Sequence, residues 1–144
     1  MTNIRLKGGK EIDLLAVNPR TGEKFHVESR VATKFKLRFK ATYTKSGKCH
    51  RNGIDYFKEK KFDHPTVFKS IHEIFHSTEY RKILVVWDVQ EKSVVEQAKK
   101  IYGIEVLFLQ KLLTDLVAFA KVKGAKGSRD DIMRLVEIFA LMGK

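Results

Sequence analysis

Cysteine is almost absent. Cys49 is the only one in 144 residues, so no disulfide can close within the chain. A lone thiol fits a reducing compartment, and Met1-Thr2-Asn3-Ile4-Arg5 leads into no apolar signal region. The expected location is therefore the cytoplasm. No run of about 18 apolar residues is present, so no helix is expected to span a membrane. There is no glycine-rich phosphate loop. Cys49-His50 has no second Cys/His pair, which argues against a zinc site there. Acids are also scarce: 17 Asp and Glu stand against 29 Lys and Arg, for a net charge of +12. So large an excess on so small a chain points to a polyanion, nucleic acid before any other. An anionic membrane surface is the rival, but no basic helix with a broad apolar face is visible.

Hydrophobic residues make up 43% of the chain, enough for one globular domain over residues 1–144. No repeat, low-complexity block or linker divides it. Three strand-like runs come first, at 3–7, 11–17 and 25–31. Gly8-Gly9 suits a tight turn between the first two, and Asn18-Pro19-Arg20-Thr21-Gly22 a turn between the next two. Together they predict an antiparallel meander. Further on, Ile54–Phe62 predicts a short helix. Pro65–Ser77 predicts a longer one with Val67, Phe68, Ile71, Ile74 and Phe75 on one face. The apolar runs 82–89 and 104–109 read as buried strands. A helix over 93–102, which Gly103 can end, lies between them and suggests a parallel crossover. Residues 112–122 read as helical. Ser128 can cap a last helix over about 128–142, whose apolar residues on several sides make a homodimer plausible. The fold class is α/β: a mixed sheet with an N-terminal meander, then helices and a βαβ crossover.

The most regular segment is Lys34-Phe35-Lys36-Leu37-Arg38-Phe39-Lys40-Ala41, a strict alternation that predicts a strand. Its basic face carries Lys34, Lys36, Arg38 and Lys40, and the loop after it adds Lys45, Lys48 and Arg51. Phosphates of a nucleic-acid backbone could follow such a row, positioned without being read for sequence. Lysines that merely block an aggregating edge are the plainer alternative.

Asp13 falls in the second predicted strand. Glu28 and Arg30 fall on one face of the third. Adjacent strands could bring Asp13 close to Glu28, and paired carboxylates form an oxygen-rich site for Mg²⁺ or Mn²⁺. Such an ion activates water and offsets charge on a reacting phosphate. The string Glu11-Ile12-Asp13-Leu14-Leu15-Ala16-Val17, a turn, then Val27-Glu28-Ser29-Arg30-Val31 resembles the PD-(D/E)xK nuclease superfamily, which includes restriction enzymes and archaeal Holliday junction resolvases. The resemblance implies a restriction-endonuclease-like core and Mg²⁺-dependent cleavage of DNA. Asp13 and Glu28 would be metal ligands, and Arg30 would stand at the position of the Glu-x-Lys lysine. Glu11, on the same strand face as Asp13, could add a ligand oxygen. Arginine keeps the charge and grips phosphate, but its pKa forbids a general-base role. Lys34 or Lys36 could stand in for the lysine. A relative that binds DNA without cutting it is the first alternative.

A second alternative is a zinc hydrolase. His72-Glu73-Ile74-Phe75-His76 spells H-E-x-x-H on a predicted helix, where His at i and i+4 can share one zinc. Chance meets so short a pattern easily, and no histidine follows His76 to complete the site. Two surface histidines are the plainer reading.

Overall fold

The meander forms where the three strand-like runs and their turns predict it, to within two residues at the strand ends. In the computed structural model, which describes residues 1–31 and 36–123, β1 (Thr2–Arg5), β2 (Glu11–Val17) and β3 (Lys24–Arg30) are antiparallel neighbours. Ile4 stands opposite Ile12, and Leu15 opposite His26. The turn between β2 and β3 is closed by Asn18, whose Oδ1 accepts from the Arg20 N–H at 2.9 Å. That is the side-chain turn that Asn favours.

After β3 the chain makes a long excursion before returning to the sheet. α1 (Ile54–Phe57) continues directly into a wider, π-helical turn, Lys58–Phe62. α2 (Pro65–Phe75) follows, and then β4 (Arg81–Val86) lies parallel to β3, from Phe25 opposite Arg81 to Arg30 opposite Val86. α3 (Ser93–Gln97) likewise runs into a π-helical turn, Ala98–Tyr102, and β5 (Ile104–Phe108) takes the place beyond β4. The order is β1-β2-β3-β4-β5, so the protein is mixed α/β with a five-stranded mixed sheet. The register shows a parallel crossover from β3 to β4 through α1 and α2, which the sequence does not suggest; β4 and β5, on either side of α3, are neighbours as expected.

α2 packs Val67, Ile71 and Phe75 with Ile12 and Leu15 of β2. Each fully buried side chain of this kind contributes roughly 1.5–3 kcal/mol. Phe68 lies at the edge of this stripe, about 100° around the helix from Val67, and is 42% exposed. The chain divides into two compact units, Met1–Leu107 and Phe108–Lys144. The sheet belongs to the first, apart from Phe108 at the end of β5. In the second, α4 (Leu109–Lys123) is described, and the helix expected over 128–142 lies outside the described residues. Among the described residues no helix is long and apolar enough to cross a membrane.

The basic strand expected over 34–41 is not formed as a strand over its described part, 36–41. Lys34 and Phe35 lie outside the described residues, and from Lys36 onward the chain makes only isolated bridges before bending at Phe39 and Lys40. Leu37 bonds to one neighbour: its N–H donates to Asp88 O at 3.0 Å and its carbonyl accepts from Gln90 N at 2.8 Å. Arg38 bonds to another, donating to Asn52 O and accepting from Ile54 N. The alternation is real, with Leu37 buried between exposed Lys36 and Arg38. It records which side chains face the core, and the backbone satisfies itself against loops on either side.

Candidate active site

Asp13 and Glu28 are placed by the β2–β3 ladder. One step past the Leu14–Val27 pair brings them opposite each other. At that step the Ser29 N–H and hydroxyl both donate to Asp13 Oδ2, at 2.7 and 2.9 Å. The carboxylate thus takes a backbone donor of β3 and is held against it. Glu28 is fully buried. Isolated, a buried carboxylate would be costly, so its surroundings must answer its charge.

They do so from two sides. His26, two residues earlier on the same face of β3, is also fully buried, and its Nε2 lies 2.9 Å from Glu28 Oε1. The ring meets Phe62 edge-on, with centroids 4.7 Å apart. From the other side comes Lys61, on the π-helical turn that extends α1. Its Nζ stands 2.8 Å from Glu28 Oε2, 3.0 Å from the Glu11 carbonyl oxygen and 3.7 Å from Asp13 Oδ1. Burial by itself would lower the Lys61 pKa. The contact with Glu28 and the charges of Glu28, Asp13 and Glu11 outweigh it and hold the amine above the ordinary lysine value. Lys61 is an ammonium at neutral pH.

Sequence reading missed Lys61 and His26. A signal for Lys61 existed: on a helix starting at Ile54, positions 54, 57 and 61 share a face, and Ile54 and Phe57 are both buried. A lysine where that apolar stripe should continue is an inward-facing charge.

The helix end that carries Lys61 is pinned by Asp63, which takes Lys58 Nζ at 3.0 Å and Lys82 Nζ of β4 at 2.5 Å. Burial pushes the Asp63 pKa up, but hydrogen bonds from the two lysines outweigh it, and the net shift is downward. A depressed carboxyl stabilises the fold above its unfolded pKa of about 3.9, and that stability fades as pH falls through the folded value. Because Asp63 is partly exposed, solvent screening holds the effect to about 1 kcal/mol. Urea midpoints of wild type and Asp63→Asn should therefore differ at pH 6, and the gap should narrow as pH falls below about 4. A gap that does not narrow on acidification would contradict the clamp.

The predicted basic residues separate into groups. Lys36 pairs with Asp88 at 3.1 Å, and Lys40 donates to the Tyr102 hydroxyl at 3.1 Å, so neither continues a row towards the acids. Glu11 offers the site its carbonyl, while its side chain belongs to an exposed residue. Arg30 is exposed and makes no ion pair with either acid among the described residues. It opens instead into a cleft of about 530 Å³ with Arg38, Lys48, His50 and Arg51. Lys45 is exposed on the hairpin above and does not line the cleft. Since Arg30 lies two residues beyond Glu28 on β3, the cleft begins where the acid site ends.

His72, Glu73 and His76 are all exposed. α2 stops at Phe75, and His76 caps it in the left-handed conformation, φ 50°. Among the described residues no three His, Cys, Asp or Glu side chains converge as a cage for a metal ion. Compared with protein-family models, curated proteins and solved structures, the chain matches none.

Proposed function

We propose that the protein is a metal-dependent nuclease that hydrolyses phosphodiester bonds in DNA, built on a restriction-endonuclease-like core. The observation that carries this reading is the oxygen shell around the Lys61 ammonium: Glu28 Oε2, the Glu11 carbonyl and Asp13 Oδ1. A set of hard oxygen donors around one cation is what Mg²⁺ or Mn²⁺ requires, and Asp13 and Glu28 fit as its ligands. When bound, such an ion lowers the pKa of water and offsets charge on the phosphate. Glu28 is kept in place by His26, and Asp13 by Ser29. Lys61, held as an ammonium, serves as a donor to a phosphate oxygen rather than as a base. Arg30 grips a neighbouring phosphate from the mouth of the cleft. The choice of DNA rests on the sequence resemblance.

The test is nicking of supercoiled plasmid in Mg²⁺ by wild type, Asp13→Asn and Glu28→Gln. Wild type should cut. Both variants should lose cleavage and keep their affinity for DNA measured in EDTA, because each loses an ion ligand but also a repulsion with phosphate. Full cleavage by both variants would remove Asp13 and Glu28 from the site. A second reading is favoured by the same ammonium, which already answers the charge of both acids without a metal. Under it the protein binds DNA and cuts nothing, and wild type shows no cleavage in Mg²⁺ or Mn²⁺.

A further inference from the structure

We propose that the basic cleft is a binding site for single-stranded nucleic acid, in which its cations hold backbone phosphates and the ring of Tyr43 stacks a base. The first observation is electrostatic. Arg30, Arg38, Lys48 and Arg51 line one concavity with His50, and none of the four has an ion-pair partner among the described residues. Several cations elsewhere are matched: Arg81 by Glu105 and Glu23, Lys58 and Lys82 by Asp63, Lys36 by Asp88. Four like charges facing one cavity repel one another, and a polyanion relieves the repulsion. Among the described residues no acidic side chain lines the cleft, so small cations gain nothing there.

The second observation is independent. Residues 42–50 form a hairpin: His50 N donates to Thr42 O, Thr44 N donates to Lys48 O, and Tyr43 stands opposite Cys49. Directly opposed residues share a face, and Cys49 lines the cleft. Tyr43 therefore shares the Cys49 face of the hairpin, beside the cleft and not among its lining residues, and it is 64% exposed. The thiol beside it, more than burial, pushes its phenol pKa up. An exposed aromatic ring next to a basic groove is how unpaired strands are held, since every base offers a face to stack. A duplex keeps its bases stacked inside and leaves Tyr43 nothing to take. The strand would run from Tyr43 past Arg38 to Arg30, and so towards Glu28. Only the fate of the strand rests on the nuclease reading; its binding does not.

The experiment is fluorescence anisotropy in EDTA with a labelled single-stranded oligonucleotide of mixed sequence and with its duplex. Tyr43→Ala should weaken single-strand binding about fivefold to a hundredfold and leave duplex binding nearly unchanged, and Tyr43→Phe should keep wild-type affinity. The double variant Arg38→Ala/Arg51→Ala should reduce the log–log salt slope on the single strand by about 1.4, roughly 0.7 for each phosphate no longer neutralised. Arg20→Ala/Lys100→Ala removes the same charge from elsewhere on the surface and should leave the slope unchanged. Equal single-strand affinity for Tyr43→Ala and wild type overturns the proposal, as does a cleft variant that behaves like its charge-matched control. Inorganic phosphate is the remaining arm. If it displaces the strand at low millimolar concentration while Tyr43→Ala changes nothing, the cleft is a site for free phosphate. A wild type that binds the single strand through Tyr43 but never cuts retires the nuclease and leaves this site standing.

Discussion

Replacing Lys61 with methionine should abolish cleavage and destabilise the protein by about 2–3 kcal/mol, and divalent ions should then restore much of the lost stability. Methionine keeps the length and apolar stem of lysine and removes only the ammonium. Glu28 is fully buried, and without Lys61 its charge is answered by His26 alone. Removing one partner of a buried pair costs about 3–5 kcal/mol. Lys61 is itself 26% exposed, so water already screens part of the pair, and the lower figure follows. In wild type an incoming ion must compete with the ammonium for the same oxygens. In Lys61→Met the place is vacant and the need for a cation is greater. Manganese at about a hundred times its Kd stabilises a folded protein by about 2.7 kcal/mol. The rise in Tm with Mn²⁺ should thus be larger for the variant than for wild type, although the variant cuts at least about a hundredfold more slowly. The stability gap has a pH limit. A lysine whose pKa is raised stabilises the fold below its unfolded value of about 10.4 and loses that contribution as pH rises through the folded value. The gap between wild type and Lys61→Met should be constant from pH 6 to 9 and shrink above about 10.5. A variant that gains no stability from Mn²⁺ or Mg²⁺ would show that these oxygens hold an ammonium and nothing else.

The legible parts of the fold were those with local causes. Alternation and turn residues place β1, β2 and β3, and with them Asp13 and Glu28 on neighbouring strands. Pro65 and a 67–71–75 stripe place α2. What stayed hidden depended on partners far along the chain. Lys61 reaches Glu28 across 33 residues, and its role requires the helix to lie over the acid end of β3. His26 carries no mark of its burial in the sequence, yet it is sealed between Phe62 and Glu28. Burial of a histidine depends on what covers it, and the residues that cover it come from the excursion between β3 and β4. The basic segment failed for a related reason. Its alternation was read as the mark of a ladder, but period two needs only one buried face. Leu37 is buried against loops on both sides, and the cations between divide among Asp88, Tyr102 and the cleft.

Gly53→Ala should be among the most damaging single changes in the first compact unit, at about 3 kcal/mol or more. Gly53 has φ −113° and ψ 145°, ordinary extended backbone that any residue adopts, so its conformation does not require glycine. The requirement is space. A methyl group at this position would overlap the backbone nitrogen and Cα of Ala41 and the Asp55 carboxylate. Neither yields freely, because the Ala41 backbone is hydrogen-bonded on both sides and one of those bonds is to this same carboxylate. The Ala41 N–H donates to Asp55 Oδ1 at 2.7 Å, and its chain neighbour Thr42 donates to Asn52 Oδ1 at 3.1 Å. Overpacking against a side chain costs about 1–3 kcal/mol, and backbone yields less readily. Gly103 is the control. It has φ +65° with open space around the missing Cβ, so Gly103→Ala brings backbone strain alone, about 1 kcal/mol. Function should follow stability only for the first change. Gly53 bridges to Arg38, follows Arg51 and Asn52, and precedes the helix that carries Lys61. A displaced Gly53 disturbs the cleft and the acid site together. Urea denaturation gives the stabilities and anisotropy the affinity for single-stranded DNA. If Gly53→Ala proves no worse than Gly103→Ala, the close crossing of residues 41 and 53 is not how this protein joins its two sites.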